Sequence, residues 1–370
     1  MTDLYYPLRS LKEGHWFKLI CGASFQHLAA VRNLTLAYTL AGADCIDVAA
    51  DSAVVAAAQE ALQIASKLTS DAQRRGFSRR GLPWLMVSLN DGEDPHFRKA
   101  EFNSGECPVD CPRPCEKICP AQAIVFDEVN KADGRNLREN VDRKGDDFSG
   151  VVSESCYGCG RCLPICPSQL IYTRSYVSTP GAIAPLVLST GVDAVEIHTQ
   201  VGRLAEFERL WKAIAPWVDR LKLVAISCPD GDGMIDYLWS LYEMIAPLTS
   251  SLIWQTDGRP MSGDIGDGTT RAAVKLSQKV LAAGLPGYVQ LAGGTNSYTV
   301  PKLRAAGLLS QPSPFVAGIA YGSYARVLLS PVLDQLEPTS ARLESKPELL
   351  WQAVALANSL VSQLKKIAVS

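Results

Sequence analysis

The stretch KLVAISCPDGDGMIDYLWSLYEMIAPLTSSLIWQ, residues 222–255, alternates between two sequence patterns. Lys222–Ser227 and Leu252–Gln255 are short apolar runs, which are typical of strands buried on both faces. Ile235–Ile245, between them, has apolar residues at helical spacing. A strand, a helix and a second strand in this order predict parallel strands joined by a crossover helix.

The same alternation continues on both sides of this stretch. Six further strands are predicted at Trp16–Cys21, Cys45–Ala49, Trp84–Leu89, Ala194–His198, Tyr288–Leu291 and Phe315–Ala320. The other predicted helices are Ser24 to Leu40, Asp51 to Leu68, Ala182–Leu188, Arg203–Ile214, Thr270–Ala283, Tyr298–Ala306, Tyr324–Leu329 and Leu349–Leu364. This alternation favours an α/β fold with a (β/α)8 TIM-barrel-like domain, and an open doubly wound sheet is the alternative.

Eight cysteines fall in two compact sets between the third strand and the next predicted helix. The first cysteine set is Cys107, Cys111, Cys115 and Cys119, and the second cysteine set is Cys156, Cys159, Cys162 and Cys166. The second set has the spacing of bacterial ferredoxins, in which three thiolates bind one cluster and the fourth binds the neighbouring cluster. The cysteines therefore predict two iron–sulfur clusters with crossed ligation.

Crossed ligation assigns each predicted cluster to four cysteines. One [4Fe-4S] cluster is predicted on Cys156, Cys159, Cys162 and Cys119, and a [4Fe-4S] or [3Fe-4S] cluster on Cys107, Cys111, Cys115 and Cys166. The wider spacing of the first set leaves open a three-iron cluster without Cys107, or four purely local ligands. Zinc and disulfides are less favoured, because zinc sites use two Cys pairs and disulfide scaffolds are short secreted chains.

The position of the cysteines predicts the domain organisation. A discontinuous barrel, residues 1–92 and 174–335, is interrupted by an α+β two-cluster ferredoxin-like module, residues 93–173, and is followed by a helical extension, residues 336–370. Loops that follow barrel strands lie at the C-terminal mouth, where ligands bind. The module is therefore expected to hang over this mouth, with the polar residues 131–148 as an exposed loop.

Composition excludes several classes of protein. The chain has 370 residues, 47% of them hydrophobic and 20% charged, and a net charge of −2 without a basic run. A nucleic-acid surface is therefore not expected, and membrane insertion is not expected because no stretch approaches 18 apolar residues. Eleven cysteines without a secretion signal predict a cytoplasmic protein.

Glycine-rich loops follow the last two barrel strands. In many barrels these two loops bind a phosphate, which makes Gly293, Gly294 and Thr295 after the seventh strand, and Gly318, Gly322 and Ser323 at the eighth, candidate cofactor contacts. The alternative is that the glycines only form tight turns.

Three further residues are candidate ligand contacts by position. Residues 256–269 form a long connection after the sixth strand, interpreted as a lid or an anion-facing loop, and Asp257 and Arg259 lie at its start. His198 follows the fourth strand, although a lone histidine there is more often a satisfied hydrogen-bonding residue.

Lys18 interrupts the otherwise apolar first strand. It is predicted either to face a ligand or to form a buried ion pair with Asp47 or Asp44. The isolated cysteines are predicted to be small buried residues of the core: Cys21, Cys45 and Cys228. No catalytic residues are predicted, because no acid/base pair, nucleophile triad, P-loop or dinucleotide fingerprint is visible.

The run CYGCGRCLPICP from Cys156 to Pro167, in a barrel-like chain with the long loop 256–269, resembles the light-dependent period (LdpA) family of cyanobacteria. The resemblance covers most of the chain. It implies an iron–sulfur, redox-sensing regulatory protein that conveys the light-dependent redox state of the cell to the circadian clock and modulates its period. The implied partners are clock proteins such as KaiA and the clock-input histidine kinase.

Two other functions are compatible with the sequence. One is a flavin-dependent iron–sulfur oxidoreductase with the phosphate of FMN on the two glycine-rich loops. The other is a plain carrier that serves an electron donor or acceptor, for which a large barrel is more scaffold than the task requires.

Overall fold

A computed structural model describes residues 6–22, 28–77, 81–92, 98–119, 122–126, 150–152, 156, 162–175, 187–258, 270–309, 314–336 and 342–365. The strands in this part are β1 (Trp16–Ile20), β2 (Cys45–Ala49), β3 (Trp84–Asn90), β4 (Arg98–Glu101), β5 (Ile124–Val125), β6 (Gly150–Val151), β7 (Tyr172–Ser175), β8 (Ala194–His198), β9 (Leu223–Pro229), β10 (Ser251–Asp257), β11 (Tyr288–Ala292) and β12 (Gly318–Tyr321). Eight strands close a barrel in the order β1-β12-β11-β10-β9-β8-β3-β2, and all neighbouring pairs are parallel. The (β/α)8 prediction is confirmed, and the open doubly wound alternative is wrong because β1 pairs with both β2 and β12.

Helices alternate with the barrel strands along the chain. They are Tyr6–Glu13, Leu28–Ala41, Ser52–Lys67, Thr69–Arg74, Pro114–Ile118, Cys162–Ile165, Leu204–Ile214, Met234–Ile245, Thr270–Ala282, Thr299–Ala305, Ser323–Leu333 and Pro347–Lys365. Short 3₁₀ segments in the described part of the chain are Ser104–Glu106, Ala215–Arg220 and Leu343–Ser345. Among these helices none combines the length and the hydropathy needed to cross a bilayer.

Several helix predictions can be compared with the structure. Asp51 caps Ser52–Lys67 as predicted, because its Oδ1 accepts from the N–H of Ala53 at 2.9 Å. The sequence-based helix list lacks Tyr6–Glu13 and Thr69–Arg74. The predicted cap at Ser24, and residues 182–186 of a predicted helix, lie outside the described residues.

Alternate residues of each barrel strand face opposite sides. Outward residues such as Phe17, Val87 and Ile226 pack against the helices in the main core. Inward residues at the N-terminal ends of the strands form a separate apolar cluster that closes the bottom of the barrel, and it includes Trp16, Cys45, Trp84, Met86, Ala225 and Ile253. Burial of both faces explains why the strands have continuous apolar runs.

Strand boundaries differ from the predictions where pairing, not composition, determines them. β10 continues to Asp257 because that residue pairs with Pro229 on one side and Ala292 on the other. β12 begins at Gly318, three residues after the predicted start at Phe315, because Gly318 is the first residue paired with both Trp16 and Gln290.

The cysteines lie in a small α+β unit between β3 and β8. β4 pairs with β7 and β5 pairs with β6, both antiparallel. The unit has its own buried cluster, formed by Ala100, Cys115, Ala123, Ile124, Cys156, Cys162 and Ile171. β7 ends at Ser175, two residues past the predicted domain boundary at residue 173, and the predicted exposed loop 131–148 lies outside the described residues.

The close approach of β12 to β1 gives a stability prediction. Gly318→Ala is expected to lower the free energy of unfolding by about 1–3 kcal/mol, because an added Cβ would collide with the Trp16 carbonyl oxygen and lie 2.5 Å from Trp16 Cβ. Urea denaturation followed by circular dichroism measures the change. Gly231→Ala is the matched control, because its nearest atom, on Val201, would be 3.6 Å away. Equal losses in the two variants would contradict the close approach.

Candidate metal centre and barrel mouth

Cysteines from both sets share the core of the α+β unit. Cys115 of the first set and Cys156 and Cys162 of the second are 4%, 8% and 7% exposed. Cys119 and Cys166 are partly buried and pack against the same cluster. The fold therefore brings together thiols that lie far apart in the sequence.

The first set interacts with Cys166, the last cysteine of the second set. Burial, followed by the neighbouring thiol of Cys111, raises the pKa of Cys107 to about 11. Burial also raises the pKa of Cys115, and the thiols of Cys166 and Cys111 add to this increase. Mutual effects of this kind require proximity. Cys115 is therefore influenced by thiols of both sets, and the assignment of Cys107, Cys111, Cys115 and Cys166 to one cluster stays a prediction.

Two sulfurs of the other predicted ligand group accept backbone hydrogen bonds. The N–H of Ala123 donates to Cys119 Sγ at 3.2 Å, and the N–H of Ala100 donates to Cys156 Sγ at 3.5 Å. Hydrogen bonds to sulfur tune the potential of an iron–sulfur cluster. Cys159, the remaining predicted ligand of this group, lies outside the described residues.

Thiolates from separate stretches of chain are a donor set that iron–sulfur clusters take. None of the cysteines in the described ranges forms a disulfide. In the same ranges no three His, Cys, Asp or Glu side chains converge as the ligands of a single ion. A zinc site would require its sulfurs about 2.3 Å from one ion, whereas the thiolates of a cluster bind different iron atoms. Separated thiols around a shared core meet the second requirement.

The middle of the barrel contains a buried ion-pair network. Lys18 Nζ lies 3.0 Å from Asp47 Oδ2, contacts Glu196, and donates to Gln255 Oε1 at 3.0 Å. The side chains of Lys18, Asp47 and Glu196 are at most 3% exposed. The predicted pair with Asp47 is confirmed. Asp44, the alternative partner, instead lies 2.5 Å from Lys365 Nζ.

Burial and neighbouring charges act in opposite directions on the pKa values of Lys18 and Asp47. Burial alone would lower the pKa of Lys18, but the carboxylates of Asp47 and Glu196 raise it above its usual value. Burial raises the pKa of Asp47, and Lys18 opposes that change. Lys18 therefore lies between two buried carboxylates, whose negative charges favour its ammonium form.

Neutral side chains extend the network across the barrel. Gln255 Nε2 donates to Glu196 Oε1 at 2.7 Å, Gln290 Nε2 donates to Gln255 Oε1 at 2.6 Å, and Trp16 Nε1 donates to Gln290 Oε1 at 2.6 Å. On the other side Ser88 Oγ donates to Asp47 Oδ1 at 2.6 Å. Polar groups buried in this way are stable only because each has a partner.

The network reaches the mouth of the barrel at two residues predicted as ligand contacts. His198 Nε2 lies 3.2 Å from Glu196 Oε1, and the His198 side chain is 38% exposed. Asp257 accepts a hydrogen bond from Ser227 Oγ, which in turn contacts Gln255. Arg259, the third candidate, lies outside the described residues.

Glu196, Gln255 and Gln290 are absent from the sequence-based list of candidate residues. All three side chains are buried. Glu196 and Gln290 each lie between two apolar residues of a barrel strand, whereas Gln255 lies between Trp254 and Thr256. The same signal identified Lys18. Applied to every strand, it would have added Glu196 and Gln290 to the candidates, but not the pairing between them and Lys18.

The glycine-rich loop after β11 lies where it was predicted, directly after the strand. Gly293 and Gly294 have φ values of 68° and 84°, which glycine adopts without strain. The Thr295 hydroxyl donates to the carbonyl of Ala320 at 2.7 Å, so it is used within the fold. These three residues follow β11 at the mouth, and their contact with a phosphate stays a prediction.

The loop after β12 is shorter than predicted. Gly322 and Ser323 lie at the start of the helix Ser323–Leu333, where Arg326 donates to Ser323 Oγ at 3.1 Å and to the Ile20 carbonyl at 3.1 Å. The prediction that Gly318 belongs to this loop is wrong, because it begins β12 and pairs with Trp16 at the opposite end of the barrel. Gly322 and Ser323 stay candidate phosphate contacts.

Comparison with solved structures gives only distant similarity. A tryptophan synthase from Mycobacterium tuberculosis is 12% identical with a TM-score of 0.37 and covers 98% of each chain. GGGPS from Thermoplasma volcanium is 10% identical with a TM-score of 0.39, over 99% of this chain and 98% of that chain. Similarity at these TM-scores is too low to assign a fold. The barrel assignment depends on the strand pairing.

Comparison with protein families is decisive. Residues 107–177 match the LdpA Fe-S cluster-binding domain, and residues 186–363 match the light dependent period A C-terminal domain. Neither match concerns a flavin. The protein "Light dependent period A" of Synechococcus elongatus is 50% identical over 362 residues, which are 98% of this chain and 94% of that protein. The chain belongs to the light dependent period A family and carries its iron–sulfur cluster-binding domain.

Proposed function

We propose that this protein is an iron–sulfur redox sensor that conveys the light-dependent redox state of the cell to the circadian clock and so modulates its period. The observation that carries the proposal is the shared core in which Cys115, Cys156 and Cys162 are buried together. The relative from Synechococcus elongatus, whose name refers to a light-dependent period, supports the regulatory role.

We propose two clusters with crossed ligation. Cys119, Cys156, Cys159 and Cys162 would hold a [4Fe-4S] cluster, and Cys107, Cys111, Cys115 and Cys166 would hold a [4Fe-4S] or [3Fe-4S] cluster. When bound, such a cluster supplies an electron couple whose potential depends on hydrogen bonds to its sulfurs and on exposure.

The two sites differ in exposure. Each site has buried ligands, Cys115 in the first and Cys156 and Cys162 in the second. In the first site, however, Cys107 and Cys111 are only partly buried, and Val109 between them is 84% exposed. An electron donor or acceptor would therefore approach the protein from the side of the first set.

The proposed partners and location extend this regulatory role. Clock proteins, KaiA and the clock-input histidine kinase, are proposed as partners because of the family resemblance. The cytoplasm is the proposed location, since thiols kept for metal binding persist in a reducing compartment.

Exchange of single ligands tests crossed ligation. Cys119→Ser is expected to remove the cluster of the second set, and Cys166→Ser the cluster of the first set, because each cysteine would bind the neighbouring cluster. Iron quantitation and EPR spectra of anaerobically purified variants distinguish the two losses. If each substitution removed the cluster of its own set, ligation would be local.

Loss of one buried ligand tests the sensing role. Cys156→Ser is expected to abolish the response of the clock period to light intensity, because its cluster would not assemble. The measurement is the period of a clock-driven reporter in cells at low and high light. Cys21→Ser is the matched control, since Cys21 is a buried barrel cysteine beside Thr35 Oγ1, at 3.8 Å, and belongs to neither set. A normal light response without the cluster would refute the sensing role.

The raised pKa of Cys107 predicts the pH dependence of iron uptake. Iron binds thiolates, and at neutral pH a thiol with a pKa of about 11 is protonated in the metal-free protein, so binding must release its proton. Uptake is therefore expected to weaken by up to about tenfold per pH unit of acidification for each proton released. Anaerobic competition with an iron chelator measures the affinity. An affinity that did not fall with acidification would contradict the prediction.

A further inference from the structure

A buried ion pair joins the cysteine-bearing unit to the barrel. Lys99 Nζ in β4 lies 3.1 Å from Asp51 Oδ2, and the two side chains are 11% and 2% exposed. The other carboxylate oxygen, Asp51 Oδ1, accepts from the N–H groups of Ala53 at 2.9 Å and Val54 at 3.4 Å. One carboxylate therefore connects Lys99 to the first turn of the helix Ser52–Lys67.

The residue after Lys99 touches a proposed cluster ligand. The N–H of Ala100 donates to Cys156 Sγ at 3.5 Å, and both residues are buried. Antiparallel pairing with β7 fixes this part of β4, with Ala100 opposite Thr173. Lys99 and Ala100 are consecutive in β4, so the backbone that donates to the sulfur also carries the lysine of the ion pair, although their side chains face opposite sides of the strand.

We propose that Lys99 is a positioning residue that couples the cluster on the second cysteine set to the barrel. It would raise the reduction potential of that cluster, and through Asp51 it would make the helix Ser52–Lys67 respond to the cluster's charge. The inference rests on the proposed function, because it takes Cys156 as a ligand of a redox-active cluster.

Electrostatics gives the direction of the effect. The ammonium group of Lys99 favours the reduced, more negative state of a nearby cluster, and the carboxylate of Asp51 opposes it. Burial of the pair limits screening by salt. Coupling between two sites is reciprocal, so if Lys99 stabilises the reduced state, reduction must stabilise the ammonium group of Lys99 by the same free energy.

Two substitutions separate charge from structure. Lys99→Met removes the charge and keeps the aliphatic stem, and Asp51→Asn removes the opposite charge and keeps a good helix cap. Lys99→Met is expected to lower the potential and Asp51→Asn to raise it. Each should change the ratio of reduced to oxidised cluster roughly tenfold, which is about 59 mV for a one-electron couple. The double variant should return towards the wild-type value.

The measurements use the full chain with its clusters, purified anaerobically. EPR-monitored redox titration gives the potential of the cluster on the second set. Hydrogen exchange in the oxidised and the reduced protein then follows the helix Ser52–Lys67. The wild-type protein should show different protection in the two states, and Lys99→Met should lose the difference.

A matched control comes from the opposite end of the barrel. Lys222→Met loses an ion pair with Asp193, at 2.5 Å, in which the lysine is 52% exposed. It should leave both the potential and the exchange difference unchanged. A shift as large as that of Lys99→Met would overturn the proposal.

The outcomes distinguish this proposal from the proposed function. If the wild-type cluster titrates but neither single variant shifts its potential, the role of Lys99 is refuted and the sensor function stands. If the wild-type protein holds no redox-active cluster on the second set, the proposed function fails and this inference fails with it.

Discussion

Thiols from two separate stretches of chain must converge in one small buried core, and the organisation of the molecule depends on this constraint. The chain leaves the barrel after β3 and returns at β8, and these two strands are neighbours in the barrel. The outer strands of the inserted unit, β4 and β7, pair with each other, so the insertion begins and ends at one place. Cys115 can then share a core with Cys156 and Cys162, although it lies far from them in the sequence.

The barrel supplies a rigid base with an unusual interior. Its lower layer is apolar, but the next layer is built around Lys18, Asp47 and Glu196. Buried ion pairs of this kind are a poor source of stability, because desolvation offsets their attraction. They lie beneath the mouth of the barrel, where the His198 side chain is partly exposed.

Some elements could be predicted from the sequence and others could not, for physical reasons. β2 and β8 begin and end where predicted, because strands buried on both faces have clear apolar runs. β4 and β7, with the sequences RKAE and YTRS, have no such run, since they belong to a small unit with little core of its own. Cysteine spacing identified the candidate ligands. The partners of Lys18 and the placement of Gly318 depend on strand register, which spacing along the chain does not encode.

The metal content of the anaerobically purified protein tests most directly whether the thiols of the two cysteine sets bind iron–sulfur clusters. Iron and acid-labile sulfide quantitation, combined with EPR, measures the number and type of clusters. Two iron–sulfur clusters are expected, with about seven or eight iron atoms per chain. A colourless chain that contains zinc, and neither iron nor sulfide, would contradict it.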